Sequence, residues 1–285
     1  MLRSMYSAIS GLRNNQSKLD VIGNNISNVN THGFKKSRTV FKDIISQSIG
    51  SDSGASATRG GVNPKQIGLG STMATIDVIH TGGALQSTAR TLDLAISGDG
   101  FFVVGDYNGG TSELDSFLYT RAGNFYMDAQ GYLVDGEGRY LVGDRIEEDP
   151  NNPGNIITTQ NARIHIPTSA KSMSIGQDGT VSYVNDSGDL ITAGQIYLAK
   201  FANTGGLRKE GSNYYQETNN SGTPEIGLPT EDGKGSIQSG FLEMSNVDLS
   251  EEFTELIVAQ RGFQANARTI TTSDQILEEL VNLKR

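Results

Sequence analysis

The chain has 285 residues, 35% of them hydrophobic and 7% aromatic, with 35 glycines and no tryptophan, which is enough for one large or two smaller folded domains rich in tight turns. A net charge of −9 leaves no basic face for phosphate and excludes nucleic acid as a main partner. With no cysteine, a disulfide scaffold, a thiolate metal site and a cysteine nucleophile are excluded as well.

The N-terminal segment is amphipathic. Leu2, Met5, Ile9, Leu12, Leu19 and Ile26 fall three and four residues apart, with Gln16 and Gly23 as polar members and Ile22 and Val29 widening the stripe. That spacing is an a/d seam and predicts a helix over 1–30. Arg3 and Arg13 interrupt any apolar run long enough for a cleaved secretory signal, and no stretch reaches the ~20 apolar residues of a membrane span. No membrane insertion is expected.

Asn24, Asn25, Asn28 and Asn30 follow, then Gly33 and Phe34. Asparagines and glycine terminate helices and form turns. The same side chains can instead fix the bend after the helix by hydrogen bonding, within a chain or between chains, and both readings stand. Residues 31–72 are rich in Gly, Ser and Asn and predict a linker or extended loop. Within them, Phe41 and Ile45 form a Phe-x-x-x-apolar pair that core packing would explain.

From 73 to 245 the pattern becomes β. Short apolar runs such as TLDLAI (91–96), GFFVVG (100–105), ARIHI (162–166) and GQIYLAKF (194–201) alternate with turn signals such as SGDG, DAQG, DGEG and QDGT. Regular short strands predict a sandwich or barrel-like domain, with a polar surface insertion near 144–160.

Over 246–285 the helical pattern returns. Asp248 with Glu251 has the form of a capping box, and Lys284 and Arg285 suit the negative helix end. Leu249, Phe253, Leu256, Phe263, Ala267, Ile270, Leu277 and Val281 repeat the four-three spacing, with Gln260 and Asp274 as polar members. The expected fold is therefore mixed but mainly β: a central β-sandwich or barrel-like domain with long terminal helices paired as a coiled coil.

No catalytic, cofactor or metal residue is expected. His32, His80 and His165 are far apart without metal-ligand spacing. Gly98-Asp99-Gly100 fails as a nucleotide loop, since Val103 stands where the third glycine would be. A β-domain hydrolase with paired carboxylates is the rival class, but nothing in the sequence pairs any two acids. Burying one stripe of the N-terminal helix on a single partner does not offset the entropy of ordering it. The ends are thus expected to gain order when neighbouring copies cover them, and a head-to-tail surface of that kind builds helical filaments. A plain antiparallel pair docked on the β domain is the other possibility.

GNNISNVNTHGFKKSR (23–38), TLDLAISGDGFFVV (91–104), YTRAGNFYMDAQGYLV (119–134) and the block 239–285 resemble, in the same order, the axial proteins of the bacterial flagellar rod and hook. The resemblance covers the whole chain. It implies a structural, non-enzymatic subunit without cofactor, exported by the flagellar type III apparatus without signal cleavage and working outside the cell. It implies self-polymerisation through the terminal helices, here Leu2, Met5, Ile9, Leu12, Leu19, Ile22, Ile26, Leu249, Phe253, Leu256, Phe263, Ile270, Leu277 and Val281. The implied partners are rod, hook cap and hook–filament junction proteins, with Phe41 and Ile45 in an export-recognition role. Within the family, VDLSEEFTELIVAQRGFQ and KQIGLG resemble a hook subunit more than a distal rod subunit, although the chain is short for a hook subunit.

Overall fold

Two helices bracket the chain: α1 (Leu2–Ser27) and α2 (Leu249–Asn282). In this computed structural model the described residues are 2–52, 54, 58–107, 115–148 and 156–283. The chain divides into two compact units, the first made of residues 1–27, 36–79 and 247–285 and the second of 28–35 and 80–246.

In the first unit α1 and α2 run antiparallel. Gly11 faces Asn266, Gly262 faces Asn15, and Lys18 Nζ lies 2.5 Å from Glu255 Oε2. The side chains of α2 that bury are Glu252, Ala259 and Ser273, small or polar residues, rather than the long apolar residues of the expected heptad stripe. The coiled-coil pairing is therefore not confirmed: of the expected stripe on α2, Leu256, Ile270 and Leu277 are half-buried and Phe253, Phe263 and Val281 exposed. A Cβ on Gly11 would stand 2.7 Å from Asn266 Nδ2, so the helices approach closely there and leave no room for a large side chain at that position. Asp248 caps α2, its side chain accepting from the Ser250 and Glu251 amides at 2.8 and 3.4 Å.

The segment expected as a linker carries three strands, β1 (Ser37–Asp43), β2 (Ser46–Gly50) and β3 (Lys65–Gly68), and β4 (Ser71–Val78) begins at its end. β1 pairs antiparallel with β4, and β2 with β3. Most of their side chains are exposed, so backbone pairing rather than burial defines them, and composition alone hid them.

The second unit is mainly β, with one short 3-10 turn at Thr204–Gly206. Among the described residues its main sheet has thirteen strands, and the central path runs from Ser172–Ile175 through Tyr140–Glu148 and Phe101–Asp106 to Arg208–Gly211. Among the described residues that path is open at both ends, so of the expected sandwich or barrel-like forms hydrogen bonding closes no barrel. Phe102 and Val104 enter one buried cluster with Leu141, Ile164 and Ile196, while Phe101 and Val103 enter another with Tyr119, Val142 and Phe201. Both faces of this strand are covered, which is why GFFVVG reads as an unbroken apolar run rather than an alternation. The aspartate turns fold as Asx turns: Asp128 Oδ1 accepts from the Gln130 and Tyr132 amides, and Asp135 Oδ1 from those of Glu137 and Arg139. The insertion expected near 144–160 is largely a hairpin between Tyr140–Glu148 and Ile156–Arg163; residues 149–155 lie outside the described residues.

Candidate functional site

The asparagine-rich signature divides between the two units, and each part has its own chemistry. In the first unit Asn25 is 1% exposed at the end of α1. Its amide clasps the start of β1 in both directions, donating to the Ser37 carbonyl at 2.8 Å and accepting from the Ser37 amide at 3.0 Å. The same Nδ2 also donates to Glu252 Oε2 of α2 at 3.1 Å. Glu252 is itself buried, and Lys36 Nζ stands 3.9 Å from it and 2.7 Å from Glu251. One asparagine therefore ties α1, β1 and α2 together. Asn24 is exposed.

In the second unit Asn28 begins a turn, accepting from the Thr31 amide on its carbonyl and from Thr31 Oγ1 on its side chain. Asn30 is exposed. Gly33 has φ +71°, donates its amide to the Glu243 carbonyl at 2.8 Å, and leaves no room for a Cβ, which would stand 2.6 Å from the Arg121–Ala122 peptide. Phe34 is buried, with Lys209 Nζ over its ring. Lys35 is fully buried. Its Nζ donates to Glu243 Oε1 at 2.5 Å and to the Thr81 carbonyl at 2.8 Å, and desolvation holds its pKa below the usual lysine range. Arg121 completes the group, donating from Nη1 to Glu243 Oε2 at 3.2 Å and from Nη2 to the Gly98 carbonyl at 2.9 Å. Lys35, Arg121 and Glu243 escape sequence reasoning, since a lysine in the run FKK reads as solvated and its partners lie far along the chain.

The positions expected to carry assembly fall into three groups. Ile22 is buried; Met5, Leu12, Leu19, Ile26, Leu256, Ile270 and Leu277 are half-buried; Ile9, Leu249, Phe253, Phe263 and Val281 are exposed, Phe253 at 51% and Val281 at 65%. The Leu2 side chain lies outside the described residues. Exposed apolar groups off that stripe, Ile257, Val258 and Leu280, extend the uncovered surface of α2. Phe41 sits on β1 and Ile45 beyond its end, both exposed. His165 packs against Tyr132 and contacts the Gln130 carbonyl, and among the described residues no three metal-capable side chains gather.

Three family descriptions match in chain order: "Flagella basal body rod protein" over residues 5–35, "Flagellar hook protein FlgE/F/G D1 domain" over 95–183, and "Flagellar basal body rod FlgEFG protein C-terminal" over 238–283. The flagellar basal-body rod protein FlgG of Bacillus subtilis is 56% identical over 286 residues, covering 100% of both chains. In Borreliella burgdorferi the rod protein FlgG is 37% identical over 290 residues, and the hook protein FlgE is 33% identical over an alignment of 448, each covering 100% of both chains. Clasp, turn and buried ion group all lie within or beside the matched segments, and the chain belongs to the FlgE/F/G family of flagellar rod and hook structural proteins.

Proposed function

We propose that this chain is the distal rod subunit of the flagellar basal body, a building block of a straight drive shaft. One observation carries the reading: full-length 56% identity to a rod protein with end-to-end coverage, whereas alignment to a hook protein stretches to 448 positions for a chain of 285. The hook reading drawn from the sequence gives way to it. Its longer supporting block, 247–264, lies in the C-terminal segment that the rod and hook family description covers, and the short chain, then an objection, fits the rod. The hook cap and the hook–filament junction go with the hook reading. Self-association, the neighbouring axial proteins and the type III export apparatus remain as partners, and Phe41 with Ile45 remains the candidate export element.

The function is mechanical. The terminal segments, 1–30 and 246–285, form the inner assembly domain, and the exposed positions Ile9, Leu249, Phe253, Phe263 and Val281 meet neighbouring copies. Each subunit passes torque to the next through these apolar contacts, which are non-directional and add up with area. Electron microscopy of basal bodies purified from a deletion strain tests the assignment. A rod truncated at its distal part, with no hook, is the expected result. A complete rod lacking only the hook would overturn it.

A further inference from the structure

We propose that the cavity beside Arg121 in the second unit is a binding site for a single carboxylate carried on a short apolar stem. The cavity holds about 320 Å³, and His80, Asp99, Phe101, Arg121, Lys200 and Phe201 are among its lining residues.

The charge balance of the buried group next to it carries the argument. Lys35 and Arg121 bring two cations to one carboxylate, Glu243, and all three are at most 3% exposed. Both oxygens of Glu243 are committed: Oε1 accepts from Lys35 and from the Gly83 amide, and Oε2 accepts from Arg121. One positive charge is left over in a site where unbalanced charge is costly. Arg121 uses Nη1 and Nη2 within the protein, but its Nε–H is buried and meets no acceptor. A guanidinium N–H left this way forfeits a charge-assisted hydrogen bond. At the same cavity both ring nitrogens of His80 are shut off from solvent, and its hydrogen bonding rests on the Thr204 backbone alone. Lys200 Nζ donates to the Asp232 carbonyl at 3.1 Å and, with three N–H groups, retains donors for a ligand. The donors surround a cavity walled in part by Phe101 and Phe201, which suits a carboxylate on two or three carbons. Asp99 is exposed among the lining residues, and its charge selects against dianions such as phosphate.

His80 reports on occupancy. Burial first, then the charges of Lys35, Arg121 and Lys209, lower its pKa to about 4, and an arriving anion opposes those charges. Two sources offer the same chemistry, a free short-chain acid or an acidic side chain of a second copy. The site goes beyond the rod reading and stands whichever axial structure the chain builds.

The experiment is a titration of the full-length monomer, labelled with nitrogen-15 at histidine, with sodium propionate and with sodium chloride at matched ionic strength. The His80 ring resonances are expected to move saturably with propionate and not with chloride. Lys200→Met is expected to raise the half-saturation concentration about fivefold, which corresponds to loss of one exposed charged contact. Arg121→Lys keeps the charge and removes Nε–H; because it also touches Glu243, Lys200→Met serves as the variant that leaves the buried group intact. If propionate moves the His80 resonances, self-association of the monomer moves them the same way, and excess propionate slows that association, the carboxylate is the neighbouring copy's; if self-association leaves them unmoved, it is a free short-chain acid's. Equal shifts with chloride, or a His80 that propionate leaves unmoved, would overturn the proposal.

Discussion

Lys35, Arg121 and Glu243 show how much depends on a few atoms out of reach of water. Glu243 neutralises two buried cations, so Glu243→Gln strands both and should destabilise the chain by about 3–5 kcal/mol in urea unfolding. Lys35→Met removes only one cation and leaves Glu243 paired with Arg121, so its cost should be clearly smaller. Equal costs would mean that the group behaves as one inseparable salt bridge rather than as a carboxylate carrying an excess of charge. His80 adds a pH dependence whose sign follows from its lowered pKa. It faces Lys35, Arg121 and Lys209 and packs on Phe101 and Tyr215, and folding favours its neutral form. Above pH 6.5 both states are neutral and nothing is lost. Between 6.5 and about 4 the unfolded chain binds the proton and the folded chain does not, so stability is lost as the pH is lowered through that window, by up to about 3 kcal/mol. His80→Phe should remove this contribution, and the difference between wild-type and variant unfolding curves, taken from pH 7 to pH 4, isolates it from the carboxylates. A difference that stays flat would sink the assignment. None of this was legible in the sequence, where Lys35 looks like any exposed lysine and His80 like an isolated histidine. Burial of a charge depends on long-range pairing, here across 208 positions between Lys35 and Glu243.

The helices were legible as elements, and the way they meet was not. Apolar spacing placed α1 and α2 within a few residues of their observed ends, and Asp248 was readable as the cap of α2. The contact between them includes Gly11, Gly262, Asn15 and Asn266, where close backbone approach favours small residues, while Leu12, Leu19 and Leu256 of the stripe are half-buried. Periodicity detects where large apolar groups lie, not whether the partner helix or something else covers them. The asparagine cluster was open to two readings, helix termination or a hydrogen-bonded bend, and Asn25 and Asn28 separate them. Asn28 makes a local turn, while Asn25 joins three elements with three hydrogen bonds. Replacing Asn25 by Ala leaves the Ser37 amide and carbonyl and the Glu252 carboxylate short of partners, at a cost of about 2–3 kcal/mol. Asn30→Ala, at an exposed position, should stay within about 0.5 kcal/mol of wild type. Denaturant titration of the two variants checks the contrast, and equal effects would reduce Asn25 to an ordinary turn residue.

At the scale of the molecule, the apolar side chains that α2 leaves uncovered become informative as surface. Phe253, Ile257, Val258 and Val281 are all more than half exposed, and so are Ile45 and Ile49 in the strands of the first unit. An isolated chain gains little from such residues, and contiguous exposed apolar groups mark a surface made for a partner. The 31–72 segment carries the same lesson: its composition reads as a linker, yet its strands pair while leaving their apolar side chains outside, so only backbone hydrogen bonding revealed them. If the apolar face of α2 serves assembly rather than folding, the double substitution Phe253→Ser with Ile257→Ser separates the two. Neither side chain is buried, so the variant's unfolding free energy should stay within about 1 kcal/mol of wild type, the sum of small propensity and surface effects. Its polymerisation should fail, because each subunit loses two large apolar groups at every repeat of the contact. Analytical sedimentation at assembling concentrations reads the second effect and thermal unfolding of the dilute monomer the first. A variant that polymerises as wild type places the subunit contact elsewhere. One that unfolds several kcal/mol earlier shows that these side chains hold the monomer together, and the assembly role of this face would then fall.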